Sequence, residues 1–186
     1  MASPERVLRD CLGRFGTGVT VVTTRHGGTV HGATVNAFTS VSLDPPLVMV
    51  SLDRRSRMCG LLADATFGVN ILGAEQRDLA LCFAGLAGTR PVDVAWEPAA
   101  LAPRLAGCPA YLACTPWAAY DGGDHVLYVG EVREFDVEPG EPLLFHGGRF
   151  HELVGPSRRT AWSGSLDDPT GGAWAAGAPL LSPSAH

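Results

Sequence analysis

Four small polar residues, Thr34, Asn36, Thr39 and Ser40, crowd into the stretch HGATVNAFTSVSLDPPLVMVSL, residues 31–52. The stretch reads as a strand, a polar loop and a second strand. Pro45-Pro46 breaks the chain before the β-prone run Leu47-Val48-Met49-Val50. Small hydrogen-bonding groups beside a bulky apolar sheet suit a flat ligand with a polar edge. Downstream, Ser51, Arg54, Arg55 and Arg57 follow the apolar strand at once. A hydroxyl and guanidinium groups at a helix start would receive a phosphate. Asp124-His125 comes straight after a Gly-rich turn and opens a strand. An imidazole at such a rim can stack on a bound ring or hydrogen-bond to it.

Other chemistries find less support. Gly16-Thr17-Gly18 lies between a helix and a strand, the reverse of the order a dinucleotide fingerprint requires. His146 and His151 flank a Gly-Gly turn, but no third metal ligand accompanies them, so we expect no metal. No serine sits in a GxSxG elbow. The five cysteines match no zinc spacing. Cys108 and Cys114 are spaced for a bridge, yet free buried thiols fit a cytoplasmic chain better.

The elements that must position these groups can be read in order. Residues 3–15 form a helix, with Ser3 as cap, Pro4 in the first turn and Gly16 as stop. Val7, Leu8, Cys11, Leu12 and Phe15 give it one apolar face. Residues 18–24 and 30–35 are strands around a hairpin turn at His26–Thr29. Gly32 lacks a side chain, so another group can approach its backbone. Residues 47–52 make a central buried strand, Ser56 caps a short helix, and residues 67–72 are a strand. Residues 75–84 are a helix, and 85–107 form a long Gly/Pro/Ala-rich excursion. Residues 111–119 are a strand interrupted by Pro116. The strand from His125 shifts its apolar phase at Arg133-Glu134, which predicts a bulge. A last hairpin spans 143–153 around Gly147-Gly148.

Many short strands, few helices, 23 glycines and 14 prolines indicate a mainly β fold, a barrel or sandwich of Greek-key type. One domain is expected over residues 1–155. Residues 156–186 form a Gly/Pro/Ser/Ala-rich tail, flexible or loosely docked through Trp162 or Trp174. The chain has no lysine, a net charge of −5 and no long basic run, which argues against nucleic acid. The charged start MASPERVLRD is unlike a signal peptide, and no apolar run is long enough for a membrane span, so a cytoplasmic protein is expected.

Four signatures, FGTGVTVVTT, the 31–56 stretch HGATVNAFTSVSLDPPLVMVSLDRRS, FGVNIL with AEQRDLALCFA, and GDHVLYVGEV, resemble the flavin reductase family. Members of that family are the reductase partners of two-component flavin-dependent monooxygenases. The resemblance runs from about residue 8 to residue 153. It implies a split β-barrel with a few short flanking helices, usually a homodimer. It implies reduction of FMN or FAD by NADH or NADPH, with reduced flavin passing by diffusion to a monooxygenase. By position, Thr34, Val35, Asn36 and Ala37 would line the isoalloxazine edge. Ser51, Leu52 and Arg57 would meet the ribityl phosphate end. Cys82, Phe83 and Ala84 would close over the flavin, and His125, the catalytic candidate, would stand where the nicotinamide stacks. With no Arg cluster beyond Arg54-Arg55, NADH is favoured over NADPH. Ala37 replaces a frequent Ser, Thr89-Arg90-Pro91 a frequent Asp-Arg-Phe, and Phe145 and Phe150 frequent tyrosines. A flavoprotein that keeps its flavin for another reaction, or a non-catalytic flavin or haem binder, are the alternatives.

Overall fold

The computed structural model describes residues 3–86 and 92–153. The expected tail at 156–186, with Trp162 and Trp174, and the departure at Thr89-Arg90-Pro91 lie outside the described residues.

Helix α1, Pro4–Leu12, starts as its sequence dictates: the Ser3 hydroxyl accepts the Arg6 N–H at 3.3 Å. It stops earlier than expected, at Gly13 rather than Gly16, because Gly13 already caps the helix with its N–H on Arg9. The apolar face exists, but α1 buries none of its residues. Leu12 is 64% and Phe15 79% exposed.

The first strand splits in two. β1, Thr17–Gly18, belongs to a small sheet, and β2, Thr20–His26, to the main one, so the chain changes sheets at Val19. β3, Thr29–Val35, returns after Gly27-Gly28. Both glycines have positive φ, as a two-residue hairpin loop of this hand demands. The polar loop expected after β3 is instead mostly an edge strand, β4, Phe38–Leu43. Its hydroxyl-rich sequence reflects one uncovered edge and face, not irregular backbone. Val41 bulges out where the register slips between Ser40 and Ser42.

β5, Pro46–Asp53, runs between β4 and a long strand, β10, His125–Val137. Val48, Val50 and Leu52 are buried on one face, whereas Met49, Ser51 and Asp53 on the other are half-buried. The strand is central as expected, but beyond Leu47, which is also buried, only one of its faces belongs to the core. Helix α2, Arg57–Leu61, is capped by Ser56, whose hydroxyl accepts the Met58 N–H at 3.2 Å. β6, Phe67–Ile71, leads into a 3-10 turn at Ala74–Gln76 and helix α3, Arg77–Phe83.

The described part of the excursion is not loose. It holds a small hairpin, β7, Trp96–Glu97, and β8, Arg104–Leu105. Thr23 donates to the Pro103 carbonyl at 2.6 Å, Tyr111 to Ala102 at 2.6 Å, and buried Asn70 accepts the Leu105 N–H at 2.8 Å. Arg104 meets Glu97, Asp136 and Glu138 at 2.8, 2.8 and 3.0 Å.

β9, Ala110–Gly122, and β10, His125–Val137, form a long hairpin. The bulge expected at Arg133 is present. A second one leaves Trp117 unpaired beside Pro116, which has no N–H to give to a ladder. β11, Leu144–His146, pairs with β1 on one side and with β12, Arg149–His151, on the other. The main sheet is antiparallel throughout, in the order β3-β2-β6-β9-β10-β5-β4. Val22, Val35, Val50, Leu52, Phe67 and Tyr128 share one core cluster with α2, so the sheet curls round its own apolar face. All five cysteines are free. Burial pushes the Cys108 thiol up to about 11 and the Cys114 thiol up to about 12, so neither is a thiolate near neutral pH.

Candidate functional site

The face of β5 turned away from the core carries the site. Residues directly opposite on antiparallel strands share a face. Met49 faces Thr39 on β4 and Val129 on β10; Ser51 faces Leu127, and Asp53 faces His125. His125 therefore lies on the same side of the sheet as Ser51, two residues or roughly 7 Å along the strands.

A cavity of about 700 Å³ opens over this face. Asn36, Ala37, Thr39, Met49 and Ser51 line it together with Leu12, Phe15 and Phe145. A second cavity of about 300 Å³ adjoins it and shares Asn36 and Phe145. Thr34, Leu81, Ala84 and Phe150 line that one. Both volumes fall in the range of ligand pockets. The Phe145 and Phe150 rings pack edge-on at 5.4 Å between centroids.

The structure sorts the residues expected from the sequence. Asn36, Ala37 and Ser51 line the large cavity; Thr34, Asn36 and Ala84 line the small one. The Thr34 hydroxyl is already used, donating to the Ala80 carbonyl of α3 at 2.6 Å, which fixes α3 over β3. Val35 and Leu52 turn their side chains into the core, so they can meet a ligand only through backbone. Phe83 packs on Gly32: a Cβ there would stand 2.7 Å from the ring, which is the close approach the glycine permits. Cys82 is half-buried on α3 and lines neither cavity. His125 and Arg57 also lie outside both linings.

The basic cluster after β5 differs from its sequence reading. Arg54 is committed to Asp121 at 2.8 Å, and Arg55 to Asp53 at 2.7 Å. Arg57 is exposed and meets no acid among the described residues. Helix α2 has only five residues, so its dipole adds little to an anion site. The Arg55 side chain and N–H hold the Asp53 carboxyl well below the usual range. The His125 ring, 2.7 Å away at Nδ1, lowers that of Asp124. Both acids are thus ionised beside His125 near neutral pH. Stability from depressed acids is present above their unfolded pKa and fades as pH falls through the folded value.

Sequence reasoning missed α1, Thr17, Phe38, Met49, Phe145 and Phe150 as cavity walls. The signal was present in α1: its apolar stripe stays exposed among the described residues. Among the described residues no group of three or more His, Cys, Asp or Glu side chains gathers where a metal could sit. Nor is any helix long and apolar enough to cross a membrane.

A curled antiparallel sheet with a nucleotide-sized groove on its outer face defines a ligand-binding β domain. The chain belongs to the family described as the flavin reductase like domain, whose model matches residues 12–154. An NADH-dependent flavin reductase of a Rhodococcus species is 43% identical over 159 residues, covering 83% of this chain and 90% of that one. The flavin reductase PheA2 in its native state matches with a TM-score of 0.79 and 39% identity, over 82% of this chain and all of that one. The NADH:FAD oxidoreductase SgcE6 of Streptomyces globisporus, solved with NAD and FAD fragments, matches with a TM-score of 0.75 and 40% identity over 83% and 96%.

Proposed function

We propose that this protein is an NADH-dependent flavin reductase that hands reduced flavin to a separate monooxygenase. The observation that carries the reading is the open groove beside Asn36, Ala37 and Ser51, with His125 on the same sheet face. Hydride passes from the nicotinamide to the flavin, and that chemistry belongs to the two nucleotides. The chain's task is to hold two rings face to face, which removes much of the entropic barrier. Backbone N–H groups of residues 34–37 meet the pyrimidine edge of the flavin, where charge grows on reduction. Ser51 and Arg57 take the phosphate end. Ala84 and Leu81, braced by Phe83 on Gly32, cover the smaller cavity, and His125 orients the nicotinamide.

FMN is the preferred flavin, with FAD as the other substrate class. NADPH is disfavoured because Arg54 and Arg55 are already paired with acids, leaving neither for a 2′-phosphate. The approach of β3 and β5 around one core supports a split barrel. The uncovered face of α1, with Val7, Leu8 and Leu12, and the exposed Phe15 just after it support a homodimer in which a second copy covers them. A cytoplasmic setting suits the free thiols.

The test is NADH consumption by the purified protein with and without free FMN or FAD. Flavin-dependent consumption is expected, slower with NADPH. Consumption independent of added flavin, or none, would overturn the reading. Replacing Arg57 by Ala is expected to weaken FMN about tenfold, the worth of one charge-assisted hydrogen bond, and to leave riboflavin binding unchanged. Titration of both flavins followed by fluorescence checks it.

A further inference from the structure

The β9–β10 turn that presents His125 is internally tight. The Asp121 carboxylate accepts the Gly123 N–H at 2.9 Å, and Gly123 sits at φ +78. Asp124 then holds His125 through Nδ1 at 2.7 Å. What ties this turn to β5 is Arg54. Its backbone N–H donates to the Asp124 carbonyl at 3.0 Å. Its Nε donates to the Gly123 carbonyl at 2.8 Å, and its terminal nitrogen meets the other Asp121 oxygen at 2.8 Å. One rigid fork thus grips two points of the turn, directly before the imidazole.

We propose that Arg54 is a positioning residue for hydride transfer: it fixes the β9–β10 turn so that His125 stands at the nicotinamide. The inference rests on the role of His125 proposed above. Arg54 and Asp121 side chains are 45% and 82% exposed. An ion pair that open contributes little to stability. Three bonds on one turn nevertheless fix its direction, and small misplacements of reacting groups are costly in rate. The planar fork serves the Gly123 carbonyl and the Asp121 carboxylate in one fixed geometry; a lysine ammonium is a compact charge on a flexible stem and fixes the turn's direction less well.

The test is a double-mutant cycle of Arg54→Met and His125→Ala, with Arg54→Lys as the conservative variant. Wild type must first consume NADH with added flavin; if it does not, the functional reading falls and this one with it. In an active enzyme, Arg54→Met should lower kcat/KM for NADH about tenfold, with flavin affinity within about twofold. Arg54→Lys should recover part of the loss. In the His125→Ala background the Arg54 substitution should cost nothing further. Two readouts are independent of turnover: weaker NAD⁺ binding by calorimetry, and faster amide hydrogen exchange at Gly123 and His125. Additive losses in the double variant, parallel loss of flavin affinity, or unchanged kinetics and exchange would each overturn the proposal.

Discussion

His125→Ala is expected to lower kcat/KM for NADH about a hundredfold, or roughly 2.7 kcal/mol of transition-state stabilisation. Flavin affinity should stay within about twofold, because His125 is not among the residues that line the groove with Asn36, Ala37, Met49 and Ser51. Stability should change by less than about 0.5 kcal/mol, as the side chain is 39% exposed and its hydrogen bond goes to the adjacent Asp124. Steady-state kinetics beside a flavin titration separates these quantities. His125→Phe and His125→Asn then divide the role. Phe keeps a flat ring and loses the hydrogen bond; Asn keeps a polar group and loses the stack. Near-wild-type turnover in His125→Ala would remove His125 from the site altogether.

Gly130→Ala is expected to destabilise the fold by about 2–3 kcal/mol. Gly130 lies on β10 where the ring of Phe67 crosses the core. A Cβ there would overlap the tip of that ring and stand 2.9 Å from the Cys114 Cβ. Phe67 is 1% exposed and Cys114 wholly buried, so neither has room to withdraw. For a chain of 186 residues the melting temperature should fall by roughly 5–10 °C. Thermal denaturation followed by circular dichroism measures it. Phe67→Leu in the same background should recover part of the loss, because the two sites share one space. An unchanged melting temperature would mean that the β6–β9–β10 core is packed otherwise.

Much of this architecture was legible because local chemistry and tertiary context agree. The Gly27-Gly28 and Gly147-Gly148 turns, the Ser3 and Ser56 caps and the bulge at Arg133 each follow from a residue that does one thing well. Gly32 was readable as a place of close approach, although not as the seat of Phe83. The misses share a cause: they depend on what lies across the sheet. Hydroxyls in Phe38–Leu43 read as a loop, yet an edge strand is polar wherever its outer side meets solvent. Arg54 and Arg55 read as a phosphate pocket until folding brings Asp121 beside one and a local turn brings Asp53 onto the other. Phe145 and Phe150, near the end of the described chain, become cavity walls only because β11 pairs with β1. Three of the four family signatures contribute residues to the two cavity linings, although none of those long-range pairings has a local signal.

One NADH is expected to reduce one flavin in this groove, and the reduced flavin then to leave. The direct measurement mixes the protein anaerobically with NADH and free FMN, with no monooxygenase present, and follows both absorbances before ultrafiltration. Equimolar loss of NADH and of oxidised flavin, with the reduced flavin recovered in the filtrate, is the predicted result. Flavin that stays oxidised, or reduced flavin that remains with the protein, would contradict it.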